Sequence, residues 1–520
     1  MASYKLLAYC ALCLTSCSLI RADLGPYFRS TSYEHGAHGR VPQQLYHSSD
    51  LLSPILNIHQ HGDQCDDGQL ILLTVLGSGV SSPGPMILDG QGNLVWTDPY
   101  YGDSWGLDVQ LLDGEPHLTF CAWPGRGPHV TCHVLNSEYE EVYKVLGKNG
   151  WGADATELQI TQQKTAVLTT STLIQFDLGP VNGPRQGWMR DVGFQEIDLE
   201  TGEVLFQWSW SDHWDITDVF LYPNGTEGSR ETPWDAFHIN SVHKDSVGNY
   251  LISSRHTSTV GYVNGQNGDF IWTLGGKRNM FKDLSGGAAT NISMQHHPRF
   301  LIENATLTLF DNGVKDPSNL SIDYRSRGLI IDIDTDAMTA KVAREYPSPH
   351  RLGSESRGSM QMLDNDRVLV GYGINPGWSE FSTGGDLICD VHFGPESGFR
   401  TEDILSYRVL KSHWVGLPKT LPSIVRKGGD IYVSWNGATE VATWTLVASD
   451  ADLNDYTSLG SVPTEGFETR IPVPSTLTAS GVRVIGIDRN GSVLGLSPIL
   501  QLARPAQELF QQQPLVSSSS

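Results

Sequence analysis

Short apolar runs broken by Gly, Asp and Asn recur along the chain, and long helical periodicity is scarce. Residues 70–76 read as a buried strand ending at Gly77. Residues 86–96 (MILDGQGNLVW) read as a hairpin turning at Asp89-Gly90. The pattern returns at 197–208 (IDLETGEVLFQW), 263–272 (VNGQNGDFIW) and 331–342 (IDIDTDAMTAKV). Fainter copies lie at 381–393 (FSTGGDLICDVHF) and at 134–145, where Glu138 to Glu141 replace the glycine turn. Hairpin units spaced mostly by about fifty residues predict an all-β fold, a six-bladed β-propeller over residues 23–420. Unrelated hairpins in a sandwich are the competing arrangement.

The repeat stops near Arg408, and residues 418–422 read as a linker. Strands at 431–435 (IYVSW), 442–447 (ATWTLV), 467–471 and 482–487 then predict a small fibronectin-type β-sandwich over 421–502. Residues 503–520 read as a disordered, Ser-rich tail without the hydrophobic end of a glycolipid anchor.

Composition narrows the function. With 35 Lys+Arg against 58 Asp+Glu, the net charge of −23 disfavours nucleic acid and anionic membrane surfaces as partners. A chain 18% charged and 39% hydrophobic is not a long disordered polymer. Lys5, the apolar run 6–20 and Ala22 predict a secretory signal peptide over residues 1–22. That run is too short to span a bilayer, and no later segment is long and apolar enough. Beyond it four of the seven cysteines remain, an even number that suits two disulfides in a secreted chain. Three connectivities are open. A hairpin staple Cys121–Cys132 with Cys65–Cys389 is preferred, because Cys121 and Cys132 flank the turn-rich 124–128. Sequons at Asn224, Asn291, Asn304, Asn319 and Asn490 predict a glycoprotein in the secretory pathway.

One region carries candidate chemistry. WDAFHINS (234–241), SSRHTSTV (253–260), SMQHHPRF (293–300) and FDNG (310–313) follow one another through successive units. His238, His256, His296 and Arg299 are the candidate catalytic residues. Asn240, Arg255, His297, Asn312, Trp234 and Trp378 are candidate substrate contacts. Imidazoles meeting at a propeller axis could act as nucleophile, acid or anion donor, and arginine would add cationic donors. Satisfying buried turn carbonyls is the plainer role for each. Gly102-Asp103-Ser104-Trp105-Gly106 fits a nucleophile-elbow pattern, but the alternation at 107–112 predicts a strand where that elbow needs a helix. Asp332, Asp334 and Asp336 open like a calcium loop, yet Ala337 and Ala343 stand where Gly and Glu are required. The three candidate histidines show no H-x-H or H-E-x-x-H spacing, so neither metal nor cofactor is expected.

These motifs, with residues 82–96, WTLGG (272–276) and YVSWNGATEV (432–441), resemble the secreted arylsulfotransferase-like family found in fungi. That family is distantly similar to bacterial aryl sulfotransferases. The resemblance spans about residues 60–500. It implies a six-bladed propeller with a central funnel, a small C-terminal β-sandwich, and sulfuryl transfer from an aryl sulfate to a phenol through a histidine without a nucleotide donor. His238 and His296 match the family's HINS and QH positions. The family's D-x-H-E reads Asp154-Ala155-Thr156-Glu157 here, with Thr in place of His. After FDNG the histidines before Arg400 are His350 and His392, neither in a matching motif.

Three readings stay open. One is a sulfotransferase acting on an aromatic small molecule. Another is a natural-product catalyst, a cyclase or pericyclase such as a hetero-Diels-Alderase, using the same funnel by shape and hydrogen bonding. The last is a non-catalytic propeller that binds glycan or protein. A monomer is expected in each case.

Overall fold

The computed structural model describes residues 22–62, 64–123, 130–314, 324–449, 457–474, 477 and 479–502. The expected leader up to Arg21, the 124–128 turn, the sequon at Asn319 and the tail 503–520 lie outside the described residues.

The six repeat copies each become one antiparallel hairpin, and each belongs to a different sheet. They comprise Gly84–Leu88 with Leu94–Thr97, Thr131–Leu135 with Glu141–Val145, and Gly187–Asp198 with Val204–Ser209. The others are Thr259–Val263 with Phe270–Gly275, Arg327–Asp334 with Thr339–Pro347, and Gly377–Ser382 with Leu387–His392. Their shared punctuation has one physical cause. At the turns, Asp89, Asn136, Asp198, Asn264 and Asp334 each accept the backbone N–H two residues on. In the sixth, Ser382 Oγ accepts from Asp386 N. The calcium-like Asp triplet is therefore a hairpin turn.

Hydrophobic clusters join each sheet to the next. Leu72 and Ile87 pack with Leu118 and Phe120, and Phe194 and Trp208 with Tyr250 and Ile252. The series closes on itself where Leu369 and Val391 meet Ile71, Leu73 and Val409. The first sheet is completed by a strand from the far end of this region, since Val409–Ser412 pairs with Leu70–Val75. Consequently Val409–Ser412, Asp103–Leu112, Gly152–Ile160, Ile239–Lys244, His296–Ile302 and Ser359–Leu363 neighbour one another in a closed circle. Their facing side chains are largely polar. The elbow-like Ser104 lies within Asp103–Leu112, fully buried, its hydroxyl donating to Gly102 O.

Past Pro422 two further sheets share a core of Ile431, Val433, Trp444, Leu446, Ile471 and Val484. Asn436 docks this unit on the first hairpin, accepting from Thr97 N and donating to Thr97 O. Disulfides join Cys65 to Cys389 and Cys121 to Cys132, the latter directly opposite each other on paired strands. Among the described residues no helix is long and apolar enough to cross a membrane.

Candidate functional site

His238 sits where the chain enters Ile239–Lys244, in the left-handed region at φ 51°. A β-carbon disfavours that conformation, so surrounding contacts must hold it. Arg255 N donates to His238 O, and His256 N to Phe237 O. Trp234–Asp235 pairs parallel with Gly187–Asp198 and places Asp235 beside the imidazole. His238 Nδ1–H donates to Asp235 Oδ2 at 2.5 Å. The lone pair is thereby left on Nε2, which has no hydrogen-bond partner among the described residues. The side chain is 35% exposed. Burial pushes the Asp235 carboxyl up, but His238 beside it holds it well below the usual range.

His256 stacks on His238 with ring centroids 4.8 Å apart. Its two nitrogens are spent. Nε2 accepts from Arg255 Nη1 at 2.9 Å, and Nδ1–H donates to Asp235 O at 2.8 Å. A guanidinium has no lone pair, so these directions are forced. Burial and the adjacent His238 depress the His256 pKa to about 3. Arg255 also donates to Glu355 O.

His296 lies in the same region but is closed off, which corrects its assignment as a reacting group. It is 2% exposed; Nδ1–H donates to Asn312 Oδ1 at 2.8 Å, and Nε2 accepts from Arg357 N at 3.1 Å. Asn312 donates onward to Ser354 O and Arg357 O, so it orients His296 rather than a ligand. Asn240 is fully buried and donates to Gln295 O. His297 is buried with Nδ1–H on Met360 O. Trp234 and Trp378, at 2% and 3% exposure, belong to hydrophobic cores, which removes both from the candidate substrate contacts.

Arg299 is likewise committed. It donates to Glu157 Oε2 and Ser241 Oγ at 2.8 and 2.7 Å. Arg408 grips the same Glu157 with two nitrogens at 2.8 and 2.9 Å. Burial pushes Glu157 up, yet the two guanidinium groups hold it down at about 2. This cluster fastens three of the encircling strands together.

A cavity of about 950 Å³ is lined by Trp105, Trp123 and Trp151 together with Asp154, Thr156 and Arg190, and His238 is not among its lining residues. Arg190 is the register partner of Asp235. Thr156 Oγ1 bonds to Thr169 Oγ1 at 2.8 Å and lies 3.4 Å from Ile239 O. Thus Thr156, in the place of the family's histidine, supplies a hydroxyl already tied to the protein. Asp235, Glu157 and Arg408 were not among the sequence candidates. Asp235 is the one with a local signal, three residues ahead of His238.

Asp235, His238 and His256 are close enough to hold a metal. Arg255 occupies the only lone pair of His256, which leaves the group two donors. A second group, His59, His350 and His392, shares no residue with this one. Of the sequons, Asn224, Asn291, Asn304 and Asn490 are exposed.

None of the curated proteins compared matches the chain. Solved structures similar to it include a Bacteroides caccae protein of unknown function, 11% identical, covering 66% of this chain and 99% of that one at TM-score 0.39. Another is a catalytically inactive virginiamycin B lyase from Staphylococcus aureus with quinupristin, 10% identical, covering 77% and 96% at TM-score 0.28. The family profile described as Arylsulfotransferase (ASST) matches residues 108–394, a span that holds Glu157, Asp235, His238, His256 and His296. With more than half its length matched, the chain belongs to the arylsulfotransferase family.

Proposed function

We propose that the six sheets are the blades of a propeller closed by Val409–Ser412, with a fibronectin-type sandwich at 421–502. The protein is read as a secreted, glycosylated monomer, and His238 as its reacting residue toward an aromatic sulfate ester. The observation that carries this is the state of the histidines. His238 has a lone pair open to solvent and a partly buried carboxylate on its other nitrogen, whereas His256 and His296 have no nitrogen to spare. The Nε2 lone pair attacks sulfur, the bond from sulfur to the aryl oxygen breaks, and the phenolate leaves to take up a proton. A second phenol, releasing its proton, then removes the sulfuryl group from nitrogen and restores His238. Asp235 holds the Nδ1 proton and balances the positive charge that builds on the ring.

Incubating the full chain with an aryl sulfate and a phenol tests this. A sulfated acceptor is expected, and a quenched digest carries sulfate on the His238 peptide. His238→Ala lowers turnover by about 100-fold or more with little change in Tm. Undiminished turnover in that variant overturns the reading. The three-tryptophan cavity and Thr156 favour a second reading, cyclisation of an apolar natural product with His238 as lone base. There no sulfated histidine forms, yet product formation still falls in His238→Ala.

A further inference from the structure

The second histidine group lies on the sheet containing Ser359–Leu363, at its far edge. Strand Asn57–His61 pairs antiparallel with Leu387–His392, and helix Thr31–Glu34 places Glu34 over this pair. Glu34 Oε1 is 2.7 Å from His59 Nε2 and 3.0 Å from His392 Nδ1, and those two nitrogens are 3.1 Å apart. His350 sets its ring 4.8 Å from that of His59 and 4.7 Å from that of His392. Its Nε2–H donates to Asp390 Oδ2 at 2.6 Å, and Asp390 Oδ1 accepts from Ser379 Oγ. Its other ring nitrogen, Nδ1, lies 3.5 Å from Glu396 Oε1.

A ring nitrogen carries either a proton or a lone pair. Were His59 Nε2 and His392 Nδ1 both protonated toward Glu34, two N–H groups would lie side by side at 3.1 Å. Were either bare, its lone pair would face the carboxylate. No placement of protons makes a hydrogen bond of all three edges. A cation shared by the three atoms does. Zinc bonds of about 2.0–2.1 Å in a tetrahedron set ligand atoms roughly 3.3 Å apart, close to these edges.

We propose that Glu34, His59 and His392, joined by His350, bind one divalent transition-metal ion of the zinc type. The candidate ligand atoms of the three histidines already lie within 4.8 Å of one another. Asp390 is the carboxylate behind a ligating histidine, fixing its tautomer and orientation. Three imidazoles and one carboxylate suit zinc, whereas calcium and magnesium require oxygen donors. The ion would pin the helix Thr31–Glu34 to the paired strands Asn57–His61 and Leu387–His392, which links metal binding to stability.

The test uses the full chain, stripped with a chelator and titrated with Co²⁺ and then Zn²⁺. The expected result is one equivalent bound, visible absorption of tetrahedral Co²⁺ that Zn²⁺ abolishes, and a Tm that rises with metal. His59→Gln and His350→Gln each weaken binding by about 10–100-fold or more, while His238→Ala retains it. His350 lies outside the regular strands, so its replacement spares the sheet. Failure of the unaltered chain to bind stoichiometrically overturns the proposal. So does binding that survives both histidine replacements, or binding lost only in His238→Ala.

Discussion

His243, His256, His296 and His297 are held neutral in the folded protein, chiefly by burial. His243 gives the clearest test. Burial and then Arg299 lower its pKa to about 4, and its Nδ1 is buried without a partner. Unfolded, it titrates near 6.5. Between those values the unfolded chain binds a proton that the folded chain refuses, so stability is lost as pH falls through this window. The His243→Gln variant escapes that loss. Relative to its own value at pH 7.5, it should gain about 3 kcal/mol on the parent by pH 4. Denaturant unfolding of both proteins from pH 4 to 7.5 reads this directly, and parallel curves would contradict it. The sequence did gather His238, His256 and His296 into one region, but not which of them is free. That is decided by Asp235, Arg255, Asn312 and the backbone of Arg357, contacts made only when separate strands meet. Trp234 and Trp378 misled for a related reason, since a large aromatic ring beside polar neighbours reads alike in a core or a pocket.

At the scale of elements, the outer hairpins were legible because local chemistry builds them. An Asx side chain closes five of the six turns and Ser382 the sixth, and short apolar runs fill the strands between them. The encircling strands were harder to read. Asp103–Leu112, Gly152–Ile160 and Ile239–Lys244 carry Asp, Glu, Gln, Ser and His, so the apolar signal that marks the hairpins fades in them. Their cohesion rests on pairs such as Glu157 with Arg299 and Arg408. Glu157→Gln leaves two buried guanidinium groups short of their anion and should cost about 3–5 kcal/mol, the usual consequence of breaking a buried ion pair. The sign with pH is opposite to that of a raised carboxyl. With Glu157 at about 2 in the fold against about 4.3 unfolded, its contribution is full above pH 4.3 and falls away toward pH 2. Denaturant unfolding of the parent and the variant should therefore show the gap narrowing between those limits. A variant as stable as the parent at pH 7 would show that the cluster is not what joins these strands.

For the whole molecule, the decisive feature is that the ring is closed by strands distant in sequence. Val409–Ser412 returns to pair with Leu70–Val75, and Asn57–His61 lies against Leu387–His392. The Cys65–Cys389 disulfide spans the same junction at a sequence separation of 324. Cysteine spacing alone made this pairing one of three, and the choice becomes physical once both seams of the ring are seen to pass beside it. Closing so long a loop removes much of the freedom of the unfolded chain, by roughly 6 kcal/mol in the chain-entropy account. Cys121–Cys132 closes a loop of separation 11 within a single sheet and constrains the unfolded chain less. Replacing Cys65 and Cys389 together by Ser should therefore lower unfolding stability by more than replacing Cys121 and Cys132. The first exchange should also release the strand Asn57–His61, read as faster amide hydrogen exchange there and in Leu387–His392, with Phe270–Gly275 unchanged. Equal losses from the two double variants, or exchange that quickens uniformly around the ring, would show that the seam is held by strand pairing and packing without help from the long-range disulfide.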